Sequence, residues 1–167
     1  MAWVNAPLVV YHGTDDVAAP QIIIRIDLAR ASPFDVDFGP GFYVTSNLDE
    51  ARYWADLRAI STSNRATVMG FDLDRDEVAR LGDHLAFVLP DNAFHDFVDY
   101  NRRGHPHHAR RITPTAPYDV VYGSVSSYPD RTHQPDWDQI CFLTPNAVSC
   151  LKTARVEDYG APLFTSP

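Results

Sequence analysis

The stretch DFGPGFYVTSN, Asp37–Asn47, decides how this chain folds. It sets Gly-Pro-Gly at 39–41 between two runs of extended character, FDVDFG and GFYVTS, and this hinge excludes one straight strand. Asn47 then offers a helix N-cap, and Glu50 three residues later gives the pattern of a capping box. The stretch therefore predicts two extended segments joined by a bend and followed by a helix.

Helical periodicity continues after this stretch and predicts a helix over about Leu48–Ile60. The positions at helical spacing are Leu48, Ala51, Trp54, Ala55 and Arg58. We expect Trp54 to lie in the apolar core face. Tyr53, about 100° away around the helix, should stay free of that face.

The rest of the chain intersperses strands and helices without regular βαβ repetition, which predicts the α+β fold class. Apolar and β-branched runs predict strands at 8–12, 66–74, 118–126 and 139–143. Helices are predicted between 15 and 31 and at 75–81, 91–103 and 144–151. The third of these carries Phe94, Phe97, Val98 and Asn101 on one stripe.

Length and composition predict a single domain over 1–167, with 45% hydrophobic residues to form its core. The formal net charge of -8 repels phosphate backbones, so contact with nucleic acid would need a local basic patch. A signal peptide and an apolar run of about 18 residues are both missing, which predicts a cytoplasmic protein with no membrane partner. Cys141 and Cys150 are interpreted as buried thiols, and no metal site is predicted.

Three short motifs occur in order along the chain: YHGT at 11–14, the hinge stretch leading into ARYWA at 51–55, and DQICFL at 138–143. Together they resemble the ADP-ribosyltransferases of the histidine-tyrosine type, the branch of diphtheria toxin and poly(ADP-ribose) polymerase. The resemblance is closer to small bacterial domains of that superfamily. It implies a split β-sheet cleft with flanking helices and NAD as the substrate.

The resemblance also implies roles for particular residues. His12 would orient the ribose hydroxyls of NAD, and the backbone of Gly13 would hold the nicotinamide carboxamide, with Thr14 nearby. Tyr43 would turn its ring over the nicotinamide, and Tyr53 would supply a second ring. Aromatic faces attract the cationic nicotinamide of NAD by about 2 kcal/mol or more when it is desolvated. Taken singly, His12 and Tyr43 are more often structural residues than catalytic ones.

The third motif departs from the family pattern, because Gln139 occupies the position of the usual glutamate. A carboxylate there would stabilise an oxocarbenium-like ribose, whereas a glutamine can only hydrogen-bond and orient a ribose hydroxyl. We expect Gln139→Glu to keep or raise NAD hydrolysis for that reason. Trp137 stands where arginine-directed relatives carry a glutamate or glutamine, so the arginine-directed signature is absent.

The resulting hypothesis is a mono-ADP-ribosyltransferase that modifies a protein or a nucleic acid and releases nicotinamide. It could act as a toxin, with an antitoxin or immunity protein as partner. The alternatives are an NAD hydrolase, a non-catalytic NAD- or ADP-ribose-binding module, and a phosphotransferase-like relative that uses NAD as acceptor. The basic tract NRRGHPHHARR, 101–111, is interpreted as a surface loop or as a positive rim for an anionic ligand.

Overall fold

The computed structural model describes residues 6–32, 34–105 and 117–160. Its strands are β1 (Leu8–Asp15), β2 (Phe42–Val44), β3 (Ala66–Leu73), β4 (His84–Ala86), β5 (Val120–Ser126), β6 (His133–Phe142) and β7 (Leu151–Asp158). Its helices are α1 (Ala19–Ile24), α2 (Leu48–Thr62), α3 (Arg75–Arg80), α4 (Asn92–Arg102) and α5 (Pro145–Val148), with a 3₁₀ turn at Leu28–Arg30. The α+β fold class is confirmed, because two separate sheets and several helices are present.

Two compact units make up the described chain, and each is assembled from segments that are distant in sequence. Unit 1 contains residues 6–26, 44–77 and 150–160, and unit 2 contains 27–43 and 78–149 within the described ranges. The single domain over 1–167 stays a prediction. Across the described ranges, no helix combines the length and apolarity needed to cross a membrane.

Unit 1 is built on an antiparallel sheet of three strands in the order β1-β3-β7. The central strand β3 is buried at every position except Asp72. Helix α2 packs on this sheet through a row of small side chains. The cluster consists of Ala51, Ala55 and Ala59 of the helix, Ala66 and Val68 of the strand, and the flanking Tyr11 and Leu48.

Unit 2 contains a sheet of four strands in the order β2-β6-β5-β4, in which β4 and β5 run parallel and β5 and β6 antiparallel. Its core is aromatic, because the rings of Phe94 and Phe97 lie 6.2 and 6.0 Å, centre to centre, from the ring of Phe38. Helix α4 begins at its cap Asp91, whose carboxylate accepts from the N–H of Phe94. The stripe predicted for this helix is confirmed, because Phe94, Phe97, Val98 and Asn101 are all buried.

Several boundaries differ from the sequence expectations. Strand β1 continues past Gly13 to Asp15, because Gly13, Thr14 and Asp15 pair with β3 in unbroken register. The run FDVDFG was expected to be extended, but it forms bends, and Asp35 adopts a left-handed φ of 59°, outside the extended range. Strand β6 reaches back to His133, and the strands β4 and β7 were not expected at all.

Candidate functional site

His12 lies in the middle of β1, opposite Met69 of β3. Side chains alternate along a strand, so neighbouring residues point to opposite faces of the sheet. Tyr11 packs against the α2 cluster, and Gly13 faces the same helix. His12 therefore projects from the face opposite α2, together with the buried Val10 and Thr14, and its side chain is half-buried.

Gly13 has a packing role in this structure. A Cβ atom at Gly13 would lie 2.3 Å from the carbonyl oxygen of Ala51 and 2.6 Å from the nitrogen of Ala55, both of which are backbone atoms of α2. Real Cβ atoms do not approach backbone atoms so closely. Only glycine at this position therefore allows α2 to pack at this short distance from β1. The role of Gly13 toward a carboxamide stays a prediction beside this structural one.

The prediction that Trp54 lies in the core face of helix α2 is wrong. The buried face is formed by Ala51, Ala55 and Ala59, whereas Trp54 is 41% exposed and Tyr53 42% exposed. The helix backbone comes so near to β1 that only small side chains fit between them, and this closeness leaves Trp54 at the edge. The rings of Tyr53 and Trp54 meet edge to face at 5.3 Å.

The start of α2 also differs in detail from the capping box. The side chain of Asn47 caps the helix as predicted, because it accepts from the N–H groups of Asp49 and Glu50. The backbone N–H of Asn47 donates to Oγ1 of Thr45. The carboxylate of Glu50 is only 1% exposed and accepts from the Thr45 hydroxyl at 2.7 Å and the Trp54 indole at 3.2 Å. Glu50 thus connects Thr45, which binds the N-cap residue Asn47, to the exposed ring of Trp54.

The two hinge glycines serve different purposes. Gly39 has a φ of 95°, a left-handed conformation that is easy only for glycine. A Cβ at Gly41 would lie 2.4 Å from Sγ of Cys141 and 2.7 Å from the carbonyl oxygen of Phe142, so this glycine lets the chain pass close to β6. The first glycine makes the bend and the second permits close packing, which together account for the hinge.

Tyr43 is anchored by the same hinge. Its hydroxyl donates to the carbonyl oxygen of Gly39 at 2.8 Å and accepts from the N–H of Phe38 at 2.9 Å. The residue as a whole is half-buried, with its hydroxyl end directed inward. Burial and the neighbouring Cys141 raise the pKa of Tyr43 well above its ordinary range, so the phenol keeps its proton. Tyr43 is therefore suited to offering a fixed ring rather than to acting as a base.

Gln139 is held by two acceptors in unit 2. Its Nε2 donates to Oδ2 of Asp37 at 2.6 Å and to the carbonyl oxygen of Ser124 at 2.9 Å. Gln139 is 9% exposed and pairs in register with Gly123 of the neighbouring strand β5. Its position on β6 is thus fixed both by the strand ladder and by the side-chain amide.

Asp37 is a site residue that the sequence analysis missed. It is 3% exposed, and its Oδ1 accepts from Nε of Arg102 at 2.7 Å, while Oδ2 accepts from the N–H of Ser126 at 3.0 Å. Arg102 also donates to the carbonyl oxygen of Asp35, and its guanidinium lies 5.7 Å from the ring centre of Tyr128. The only signal in the sequence was an acidic residue directly before the Phe-Gly of the hinge.

The residues of the basic tract do not all lie in one surface loop. Asn101 and Arg102 belong to the last turn of α4, and Arg102 is an internal ion-pair partner rather than part of a surface rim. Arg103 and His105 are exposed. The remaining histidines and arginines of the tract, His107, His108, Arg110 and Arg111, lie outside the described residues.

Cysteine and metal chemistry add little to the site. Cys141 and Cys150 are buried thiols outside any disulfide, as predicted, and burial raises the pKa of the Cys141 thiol well above its ordinary range. In the parts of the chain that the structure describes, no three His, Cys, Asp or Glu side chains are grouped so as to hold a metal ion.

Within unit 2, the three-residue segment 37–39 contacts both predicted residues of that unit. Asp37 binds Gln139, and the backbone of Phe38 and Gly39 binds Tyr43. The other predicted residues belong to unit 1: His12, Gly13, Thr14 and Tyr53. Thr14 is only 4% exposed, so little of its surface is accessible.

Comparison with known proteins gives a family for this architecture. Residues 8–128, well over half of the chain, match the family described as a protein of unknown function, DUF3990. The chain belongs to the DUF3990 family. In this DUF3990 protein the matched span includes His12, Asp37, Tyr43 and Tyr53, whereas Gln139 lies beyond it. No curated protein and no solved structure matches this DUF3990 chain.

Proposed function

We propose that this DUF3990 protein binds NAD and transfers its ADP-ribose to a macromolecular acceptor, with release of nicotinamide. The proposal includes the split-sheet cleft of the transferase fold. It assigns the ribose hydroxyls to His12, the carboxamide to Gly13, and the nicotinamide ring to Tyr43 and Tyr53. Two things support it: the ordered set of three sequence motifs, and the hydrogen bonds that hold Tyr43 and Gln139 in place.

One observation carries the proposal furthest. The segment 37–39 hydrogen-bonds both Tyr43 and Gln139, which the sequence motifs had singled out independently. A site that must hold a ring and a ribose in one orientation benefits from side chains that are fixed before the ligand arrives. The tethered hydroxyl of Tyr43 and the tethered amide of Gln139 meet this requirement.

The reaction breaks the bond between the ribose C1′ and the nicotinamide nitrogen, and nicotinamide leaves with the electron pair. An N–H or O–H group of the acceptor then attacks C1′ and loses its proton, which gives the ADP-ribosylated product. The ring of Tyr43 would stack on the cationic nicotinamide, and the amide oxygen of Gln139 would accept from a ribose hydroxyl. Its partial negative charge would favour the positively charged ribose of the transition state.

A non-catalytic NAD- or ADP-ribose-binding module is the second candidate. It is favoured by the neutrality of Gln139 and by the commitment of its NH₂ group to Asp37 and Ser124. An NAD hydrolase, with water as acceptor, uses the same residues. For the transferase we propose a cytoplasmic toxin, whose acceptor is a protein or a nucleic acid and whose natural partner is an antitoxin or immunity protein.

The test is incubation of the full chain with NAD, isotopically labelled in the adenosine part, and a cell extract. Nicotinamide release and label in macromolecules are followed by mass spectrometry, and NAD binding by calorimetry. We expect label on a macromolecule. His12→Ala, Tyr43→Ala and Gln139→Ala should each lower nicotinamide release at least tenfold.

Matched controls come from the same chain. His84→Ala removes an exposed strand histidine, and Gln134→Ala removes an exposed glutamine from the strand that carries Gln139. Both should keep wild-type activity. Nicotinamide release without macromolecular label identifies a hydrolase, and binding without release identifies the module. Absence of binding to both NAD and ADP-ribose by the folded wild-type chain overturns the proposal in all three forms.

A further inference from the structure

We infer that Asp37 is a positioning residue for Gln139. It turns the amide so that the carbonyl oxygen Oε1 is the atom offered to a ligand, and the ligand at this point must therefore present a hydrogen-bond donor, such as a sugar hydroxyl. The inference rests on the proposed function for the identity of that sugar, the nicotinamide ribose of NAD. The orientation itself rests on the contacts of Gln139 alone.

The chemistry of the two partners fixes the amide. A carboxylate and a backbone carbonyl only accept hydrogen bonds, and both lie within bonding distance of the same nitrogen, Nε2. A rotation of the amide by 180° would set Oε1 against two acceptors and lose both bonds. The NH₂ group must face Asp37 and Ser124, so Oε1 faces away from them.

Asp37 is itself held rigidly enough to act in this way. Three donors share its two carboxylate oxygens: Arg102 on Oδ1, and Ser126 and Gln139 on Oδ2. The Arg102 ion pair is mostly buried, with 23% of the arginine side chain and 3% of the aspartate side chain exposed. A buried carboxylate is stable in a single orientation when its lone pairs are satisfied by such donors.

The consequence concerns what Gln139 can recognise. Among the described residues, both hydrogen bonds of the Gln139 amide are made by Nε2, so no donor there competes with an incoming group for Oε1. Donation from the amide N–H to a carboxylate draws electron density toward Oε1 and strengthens it as an acceptor. A ligand that presents another acceptor at this point, such as a phosphate oxygen, would be repelled.

The first measurement follows the side-chain amide protons of Gln139 by NMR, in protein labelled with ¹⁵N at glutamine. The signal is assigned by its loss in Gln139→Ala. We expect its protons to exchange with solvent at least tenfold more slowly than those of Gln134, an exposed glutamine whose amide donates to Oγ of Ser127. If both amides exchange at the same rate in the wild type, the inference is overturned, and this arm needs no folded variant of Asp37.

Substitutions of Asp37 then test whether this residue causes the slow exchange of the Gln139 amide protons. Asp37→Ala should bring the exchange of the Gln139 amide to within about twofold of that of Gln134. Asp37→Asn keeps an oxygen toward Ser126 and Gln139, so it should retain part of the protection. Unchanged protection in a folded Asp37→Ala protein would show that Ser124 alone orients the amide, and the assignment to Asp37 would fail.

The last arm uses NAD turnover. If Asp37 acts through Gln139, Asp37→Ala should lower kcat with little change in KM, and the double variant Asp37→Ala/Gln139→Ala should be no worse than Gln139→Ala. Losses that multiply in the double variant would mean that Asp37 acts independently, against the inference. If the wild type neither binds nor cleaves NAD, the proposed function fails, while the exchange data still decide whether Asp37 orients Gln139.

Discussion

Nε2 of Gln139 donates to Oδ2 of Asp37 across 2.6 Å, although the two residues are 102 positions apart in sequence. This bond explains why an amide suits position 139. A carboxylate there would face the carboxylate of Asp37 and the carbonyl of Ser124 without a proton to share. The acidic residue on the facing segment thus matches an amide, and not a carboxylate, at position 139.

Gln139→Glu should destabilise the protein at neutral pH, by about 1 to 3 kcal/mol for a buried polar group that loses its partners. The expectation that this variant keeps or raises NAD hydrolysis stays a separate prediction, to be measured on the protein that remains folded. The pKa of the new carboxyl would be raised in the folded state by its neighbour, so the pH-dependent part of the loss should grow as pH rises above about 4.3 and disappear below it. Urea unfolding at pH 4, 5.5 and 7 measures it.

Gln134→Glu is the control for that series, because position 134 is exposed on the same strand. Its stability should stay close to that of the wild type at all three pH values. A Gln139→Glu protein as stable as wild type at pH 7 would contradict the arrangement of acceptors around Nε2.

Tyr43→Phe should distinguish the effect of the hydroxyl's hydrogen bonds on stability from the effect of the ring on ligand binding. It removes the bonds to Gly39 and Phe38, and the loss in the free energy of unfolding should be about 1 to 3 kcal/mol. The ring remains, so NAD affinity should fall much less than in Tyr43→Ala. Urea unfolding and calorimetric titration give the two quantities, with Tyr122→Phe as a half-exposed control. Equal loss of affinity in both Tyr43 variants would mean that the ring does not contact the ligand.

Gly13→Ala should destabilise unit 1, because the new methyl group meets backbone atoms of α2 that cannot move aside. Overpacking of this kind typically costs about 1 to 3 kcal/mol. Gly82→Ala is the matched control, since a Cβ there meets no atom within 4 Å. Denaturant midpoints compare the two, and similar midpoints would contradict the close approach of α2 to β1.

Tyr53→Ala and Trp54→Ala test the proposal that a ring of α2 contacts NAD. Both side chains are more than two-fifths exposed, so neither change should approach the loss of about 3 to 5 kcal/mol that a buried tryptophan gives. The resemblance predicts weaker NAD binding in Tyr53→Ala. Calorimetry on both variants decides, and an affinity loss confined to Trp54→Ala would move the second ring to Trp54.

Asp15 should make stability sensitive to acid. Burial by itself raises its pKa, but hydrogen bonds from Ala18 N–H and Arg58 outweigh burial and hold the pKa below its ordinary value. A depressed pKa contributes stability above the ordinary value, about 3.9, and that contribution disappears as pH falls through the folded value. The stability difference between wild type and Asp15→Asn should therefore shrink below pH 4 in urea unfolding. Asp130→Asn, at an exposed site, should show no such trend.

Local signals in the sequence determined the α+β class, the Asn47 cap with helix α2, and the buried stripe of α4. The cap and the stripe depend on residues within about two helical turns of each other, so spacing and capping alone specify them, and the fold class follows from the order of such local patterns along the chain. The bend at 39–41 was predictable for the same reason, because glycine conformation is a local property.

Contacts between distant segments decided the rest. Trp54 lies at the edge because Gly13 brings α2 so near to β1 that only alanines fit between them. Gln139 offers its oxygen because Asp37, more than a hundred residues earlier, occupies the NH₂ side of its amide. Periodicity indicates which residues lie near one another on a helix or strand, but which of them are buried, and against what, depends on how the whole chain packs. That packing is the part of this protein that only the tertiary structure supplied.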